Sequence, residues 1–135
     1  MGRLVRTPKF ITALITVKYI LSIGWLTESQ KIGKFAEESK FPLCDESFNE
    51  MFKCDIPKVL SIPPTERAKL FDGITFYMTP GVQPSRSVLT EMIEMCGGKV
   101  DKNRKSYISI QEIHKEKPYS YLVLTAMNDL HLVYY

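Results

Sequence analysis

The chain has 135 residues, a length that predicts one domain or two small ones. Hydrophobic residues make up 44% and charged residues 24%, which excludes a disordered tail because such a chain can bury a real core. The net charge is +3, from 18 Lys and Arg against 15 Asp and Glu, and this balance is too weak to indicate a nucleic-acid-binding surface. Any anion that the protein recognises should therefore be small and bound locally.

The cysteine, histidine and apolar patterns narrow the class of protein further. There are three cysteines, an odd number without a CxxC pair, so we expect free thiols in a reducing compartment. His114 and His131 lie far from each other and from the cysteines, so we expect no metal site. The apolar stretch from Phe10 to Leu26 is too polar and too short for a membrane span. No nucleophile–base pair, carboxylate pair or cofactor loop is visible, and we expect neither catalysis nor a bound cofactor.

The N-terminal zone has the pattern of helix, strand and helix. Thr7 stands directly before a proline, a pairing typical of a helix start, and the apolar spacing predicts a helix over Pro8–Lys18. A β-rich segment predicts a strand over Tyr19–Ile23. That segment ends at Gly24, and a second, short helix is predicted to begin at Trp25 and to run to about Ile32.

Residues 34–69 form a different zone, which four prolines interrupt. A helix is predicted over Glu46–Lys53. The zone also carries enough apolar residues to pack against another part of the protein, so we interpret it as an ordered linker. The alternative is a connection that crosses the surface inside a single domain.

The C-terminal zone has the pattern of a parallel sheet. Strands are predicted over Ile74–Met78 and Tyr121–Thr125, with a short strand at Lys99–Val100. An amphipathic helix from about Ser85 to Cys96 precedes the short strand, and strand, helix, strand is the start of a parallel βαβ unit. Residues 101–120 are predicted to be a polar loop.

Glycines mark the end of this amphipathic helix. Gly97 follows the last apolar position and can adopt the left-handed conformation that ends many helices, and Gly98 lets the chain turn into the next strand. Cys96 lies on the apolar stripe, and no basic partner is placed to activate its thiol. We therefore predict that Cys96 is a small buried apolar residue and not a nucleophile.

Several short sequences have an order that is typical of one family. Gly24-Trp25-Leu26, the pair Gly97-Gly98 and the run from Phe76 to Val82 (Phe-Tyr-Met-Thr-Pro-Gly-Val) resemble the tandem BRCT domain family. The resemblance implies an α/β fold in which each repeat has a parallel sheet flanked by helices. On that template residues 1–33 are the C-terminal part of a first repeat, residues 34–69 an inter-repeat linker, and residues 70–135 the N-terminal part of a second repeat. The tandem pair is then incomplete, as in a fragment.

The resemblance assigns four residues to phosphopeptide binding. Lys9 matches the phosphate-binding lysine of the family, and Arg6 matches the arginine that reaches peptide residues beyond the phosphoserine, or the terminal carboxylate. Pro80 and Gln83 fall near the groove for the residue three beyond the phosphoserine. Residue chemistry also suits Lys9, since the first turn of a helix favours an anion. The alternative is a solvated basic patch near the N-terminus.

The function that the resemblance implies is recognition. We expect a scaffold module of the DNA-damage response and chromatin, located in the nucleus, that binds phosphoserine-containing proteins such as repair factors or a histone tail. Direct binding to nucleic acid or membrane is not expected. In the family a Ser or Thr followed by Gly completes the phosphate pocket, and this chain begins after that point, so we expect the function to reside in a longer parent protein. The alternative is a phosphorylation-independent protein-interaction domain.

Overall fold

Helices occupy the N-terminal half of the chain, and a parallel sheet with helices occupies the C-terminal half. The computed structural model describes residues 4–133. Tertiary contacts divide the chain into two units, Met1–Arg67 and Ala68–Tyr135.

The described part of the first unit contains five α-helices. Their bounds are α1 Pro8–Thr16, α2 Gly24–Ile32, α3 Glu46–Phe52, α4 Ile56–Ser61 and α5 Pro64–Arg67, with a 3₁₀ turn at Glu38–Lys40. Thr7, Asp45 and Asp55 cap α1, α3 and α4, since each side chain accepts a hydrogen bond from the amide three residues later. The helices predicted at α1, α2 and α3 are confirmed, with ends within two residues of the prediction.

Prolines lie in the first turns of α4 and α5, two helices that the sequence pattern did not predict. Pro57 is the second residue of α4, and Pro64 is the first residue of α5. The first turn of a helix tolerates proline because an amide there has no intrahelical partner to lose. These prolines therefore mark helix starts and not only breaks.

The core of the first unit lies between α1, α3 and α4. Leu14, Phe48 and Ile56 are buried there, one from each helix. Phe10 packs edge-on against Phe48, with 5.4 Å between the ring centroids. The segment after residue 34 thus supplies two of the three buried residues of this core.

The predicted strand over Tyr19–Ile23 is wrong. The segment forms one isolated antiparallel bridge, between Leu21 and Pro42, and the amide of Ser22 donates to the carbonyl of Phe41 at 2.9 Å. A β-rich segment becomes a strand only when a neighbouring strand supplies a ladder of partners. Within the described residues of this unit, the segment that pairs with Leu21 does so at Pro42. Proline has no N–H group, so this segment cannot form a continuous ladder of backbone hydrogen bonds.

Three parallel strands form the sheet of the second unit. They are β1 Thr75–Met78, β2 Lys99–Asp101 and β3 Tyr121–Leu124, in the order β2-β1-β3. Thr75 of the central strand lies opposite Lys99 on one side and Tyr121 on the other. The three predicted strands and the α/β class are therefore confirmed, with β1 rather than a later strand at the centre.

Helix α6, Arg86–Met95, connects β1 to β2 and covers the buried side chains of the sheet. Its Ile93 packs with Phe76, Met78 and Val82 in the core of the unit. Gly97 follows with φ of 82°, a left-handed conformation that its missing Cβ permits. This helix and its glycine ending are confirmed.

The predicted polar loop at residues 101–120 is wrong, because it contains helix α7, Tyr107–Glu116. The Ser106 hydroxyl caps α7 by accepting from the amide of Ser109 at 3.2 Å. Ile110 and Ile113 are partly buried at helical spacing, and the rest of the helix is largely exposed and polar. A 3₁₀ segment, Met127–Leu132, follows the last strand.

Candidate functional site

Lys9 lies in the first turn of α1, with its side chain exposed. The residues before the helix hold this end in place: the Thr7 hydroxyl accepts from the amide of Phe10 at 3.1 Å. The first turn contains no acidic residue, and within residues 4–133 the Lys9 ammonium makes no hydrogen bond or ion pair. The positive end of α1 and the ammonium therefore carry unneutralised positive charge at the same place.

Arg6 stands beside Lys9 in sequence, just before the helix. Its guanidinium carbon lies 4.5 Å from the centroid of the Phe52 ring, a cation–π distance. The guanidinium therefore lies over the Phe52 ring, and its five N–H groups are the donors it can offer to a further partner. Arg6 and Lys9 thus both lie at the start of α1.

Pro80 and Gln83 lie in the second unit, in the loop that follows β1. Both side chains are exposed, and Val82 between them is buried in the core and anchors the loop. The amide of Gly81 donates to the carboxylate of Asp129, which ties the loop to the last 3₁₀ segment. Pro80 and Gln83 are therefore held on an anchored loop with their side chains available to a partner.

A cleft in the second unit was not predicted from the sequence. It has a volume of about 270 Å³ and is lined by Met78, Arg86, Thr90, Val100, Asp101 and Lys102. Asp101 pairs with Lys105 at 3.1 Å, and over the described residues neither Arg86 nor Lys102 makes an ion pair. Arg86 and Lys102 are brought together by the pairing of β1 with β2, a long-range contact that leaves no local signal in the sequence.

A partly buried tryptophan and an exposed phenylalanine form an aromatic pair on α2 and the turn after it. Trp25 stacks on Phe35 with 5.6 Å between ring centroids, and its indole N–H donates to the carbonyl of Ala36 at 2.9 Å. Phe35 is 83% exposed. The two rings, with Leu26 and Gly33, line a mainly apolar depression of about 530 Å³.

The cysteines differ in environment. Cys96 is buried, and burial raises the pKa of its thiol, as predicted for an unreactive apolar residue. Burial also raises the pKa of Cys54, and Asp55 adds to this shift. Cys44 is exposed.

Residues 4–133 contain no cluster of His, Cys, Asp and Glu side chains of the size that holds a metal ion. Over the same residues no helix has the length and apolar character needed to cross a membrane.

Comparisons with known proteins bear on both units. Residues 69–134 match the family model of the BRCT domain. PAX-interacting protein 1 of Bos taurus is 35% identical over 132 residues, which are 97% of this chain and 13% of that protein. Mediator of DNA damage checkpoint protein 1 of Homo sapiens is 35% identical over 96 residues, which are 71% of this chain and 4% of that protein. The chain thus spans 13% or less of the length of these two relatives.

The fold is also found among solved structures. The BRCT5-BRCT6 domains of S. pombe Brc1 superpose with a TM-score of 0.73 over 96% of this chain and 61% of that chain. Sequence identity is 16%, so this likeness is one of fold alone.

Proposed function

Because this chain belongs to the BRCT domain family, we propose that it is a protein-interaction module of the DNA-damage response that binds phosphoserine peptides. Residues 1–33 act as the C-terminal part of a first repeat, residues 34–69 as the linker and residues 70–135 as the N-terminal part of a second repeat. The activity belongs to a longer protein that acts in the nucleus on phosphoserine-containing repair or chromatin proteins. No catalytic step is part of the proposal.

The observation that carries this proposal is the unneutralised charge at the start of α1. Few backbone amides are free there, because Pro8 has none and the amide of Phe10 already donates to Thr7. The ammonium of Lys9 must then supply the main charge-assisted contact to a phosphate. A Ser or Thr followed by Gly, in the longer protein, would supply the remaining donors.

Arg6 has the geometry to bind the peptide beyond its phosphate. The cation–π contact with Phe52 holds the guanidinium in position, and its N–H groups can donate to a backbone carbonyl or a carboxylate of the peptide. Less side-chain entropy is lost on binding when a group is already held in position. Pro80 and Gln83 are proposed to contact the residue three beyond the phosphoserine.

Calorimetric titration with phosphoserine peptides tests this function. A peptide library with one fixed phosphoserine selects the sequence, and the selected peptide is titrated into the 135-residue chain and into a longer chain that completes the first repeat. Lys9→Ala should weaken binding by about 10- to 100-fold, the loss of one charge-assisted hydrogen bond. Lys31→Ala, an exposed lysine in the last turn of α2, is the matched control and should bind normally. Equal affinity for the unphosphorylated peptide in the longer chain would refute the proposal.

A second candidate function is phosphorylation-independent protein binding. The apolar depression at Trp25 and Phe35 favours it, because aromatic side chains in such surfaces are frequent anchors of protein interfaces. Binding of a partner that survives phosphatase treatment and Lys9→Ala, but is lost in Phe35→Ser, would select this function over the first.

A further inference from the structure

The chain contains two Thr-Pro dipeptides, and their threonine side chains differ in solvent exposure. Thr79 of Thr79-Pro80 is 0% exposed, and its hydroxyl bonds to that of Thr125 at 3.1 Å. Thr7 of Thr7-Pro8 is exposed, and its Oγ1 only accepts a hydrogen bond, from the amide of Phe10. The Thr7 hydroxyl is therefore open to a modifying enzyme, whereas that of Thr79 is closed.

We propose that Thr7 is a phosphorylation site for proline-directed Ser/Thr protein kinases, and that its phosphate occupies the charges of Lys9 and Arg6 and so blocks phosphopeptide binding. The blocking step rests on the function proposed above. In the reaction the Thr7 oxygen attacks the γ-phosphorus of ATP, the bond to the β-phosphate oxygen breaks, and ADP and a proton leave.

The backbone at Thr7 suits such a kinase. Thr7 has φ −101° and ψ 159°, an extended conformation, because the residue before a proline is kept out of the helical region. Residues 4–6 before it lie outside any helix or strand. A kinase must also take in the residues that follow, and the first turn of α1 can open for this because helix ends fray.

The charges at the same place favour the phosphorylated form. A phosphothreonine carries a charge of about −1.5 to −2. Arg6 precedes Thr7, Lys9 follows in the first turn, and that turn contains no acidic residue. The phosphate would supply the negative charge that helix N-termini favour and could take over the amide of Phe10 that Thr7 already holds.

A phosphate on Thr7 competes with the phosphate of a bound peptide for Lys9 and Arg6. A phosphate attached two residues from Lys9 is present at a high effective concentration, with no loss of translational freedom on binding. The phosphate of a peptide must displace the phosphate on Thr7, and the two negatively charged groups repel each other. Phosphorylation of Thr7 therefore acts as an off-switch for the proposed site.

Kinase treatment and mass spectrometry test the modification itself. With a cyclin-dependent or mitogen-activated kinase and MgATP, phosphate should appear on Thr7 and not on Thr79. Thr7→Asn should remove it, and asparagine keeps the helix cap. A synthetic peptide of residues 4–11 serves as the positive control for the kinase. Phosphorylation of that peptide but not of Thr7 in the chain would overturn the proposal.

Phosphorus NMR tests the contact with the basic residues. In a chain made with phosphothreonine at position 7, the second pKa of the phosphate should lie below that in the short peptide, which is near 6. Lys9→Ala should move it back toward the peptide value, and Lys31→Ala should not. A phosphate that titrates like the free peptide would contradict the proposed contact.

Titration of the selected phosphoserine peptide tests the switch. Phosphorylation at Thr7 should weaken binding at least tenfold, whereas Thr7→Asn should bind as the unmodified chain does. Unchanged binding to the phosphorylated chain overturns the off-switch. These titrations use the longer chain that completes the first repeat. If that chain, unmodified, binds no peptide in any form, the proposed function fails, while mass spectrometry and the phosphorus titration still decide the modification.

Discussion

At the scale of single residues, Arg67 has the most demanding position in the first unit. It is 7% exposed, and its guanidinium donates to the carbonyls of Leu14, Val17 and Ile62. Leu14 and Val17 belong to the last turn and C-cap of α1, where carbonyls lack helical partners and the dipole favours a cation. One side chain thus satisfies several groups that would otherwise be buried without a hydrogen bond.

Replacing this guanidinium should destabilise the first unit strongly. Arg67→Met keeps the apolar stem but leaves the carbonyls without donors, so the free energy of unfolding should fall by about 2–4 kcal/mol. Lys58→Met, at an exposed lysine on α4, should change it by less than about 0.5 kcal/mol. The chain has one tryptophan, and Trp25 fluorescence during urea unfolding reports this unit. Equal unfolding midpoints for the two variants would contradict the role of Arg67.

The three cysteines should react in the order of their exposure. Cys44 should react first with Ellman's reagent, Cys54 more slowly and Cys96 last, because the thiolate is the reactive form and burial raises the pKa of Cys54 and Cys96. Cys44→Ala should remove the fast phase and leave the slow phases unchanged. A fast phase that persists in this variant would show that a buried thiol is accessible.

Part of the pH dependence of stability follows from the pKa of the Cys96 thiol, which burial raises. The unfolded thiol ionises near its ordinary pKa of 9.0 while the folded thiol stays neutral. Its contribution to stability is therefore complete below that pH and decreases as the pH rises through it. Urea unfolding by circular dichroism at pH 8 and pH 10 should show this loss, and Cys96→Ala should reduce it.

At the scale of elements, side-chain caps mark the starts of most helices in residues 4–133. Five helices begin after a side chain that accepts an amide hydrogen bond, namely Thr7, Asp45, Asp55, Ser85 and Ser106. The helix at Ser106 shows the limit of this signal, because its apolar face is narrow and its outer face is polar. A polar helix and a polar loop have the same composition, so only the cap distinguishes them.

Helix α6 ends at a glycine that two separate physical effects require. Gly97 has φ of +82°, and a Cβ built there would lie 2.9 Å from the carbonyl oxygen of Ala68. Gly73 has φ of +78° with nothing within 4 Å of such a Cβ. Comparison of Gly73 with Gly97 therefore separates the cost of backbone strain from the cost of a steric clash.

Alanine at these two glycines should therefore destabilise unequally. Gly73→Ala should cost about 1–2 kcal/mol from the left-handed backbone alone. Gly97→Ala should cost more, because the carbonyl of Ala68 must also move. Chemical unfolding followed by circular dichroism measures both, and a smaller loss at Gly97 than at Gly73 would contradict the clash.

At the scale of the whole molecule, elements that depend on their own residues could be predicted from the sequence, whereas contacts between segments distant in sequence could not. The three strands of the second unit could be predicted because their own residues are apolar and β-rich. Tyr19–Ile23 has the same local character, but its pairing depends on Pro42, 21 residues after its bridge partner Leu21. The start of α1 could be assigned from Thr7 and Pro8, whereas the stacking of Arg6 on Phe52 depends on the fold.

The central position of β1 determines when the sheet can be completed during synthesis. Thr79 and Thr125, just beyond the ends of β1 and β3, are 46 residues apart in sequence. At about 5–20 residues per second, β3 leaves the ribosome roughly two to nine seconds after β1. During that interval one edge of β1 has no partner and can pair with another nascent chain. Misassembly of this sheet should therefore depend on the rate of translation between these strands.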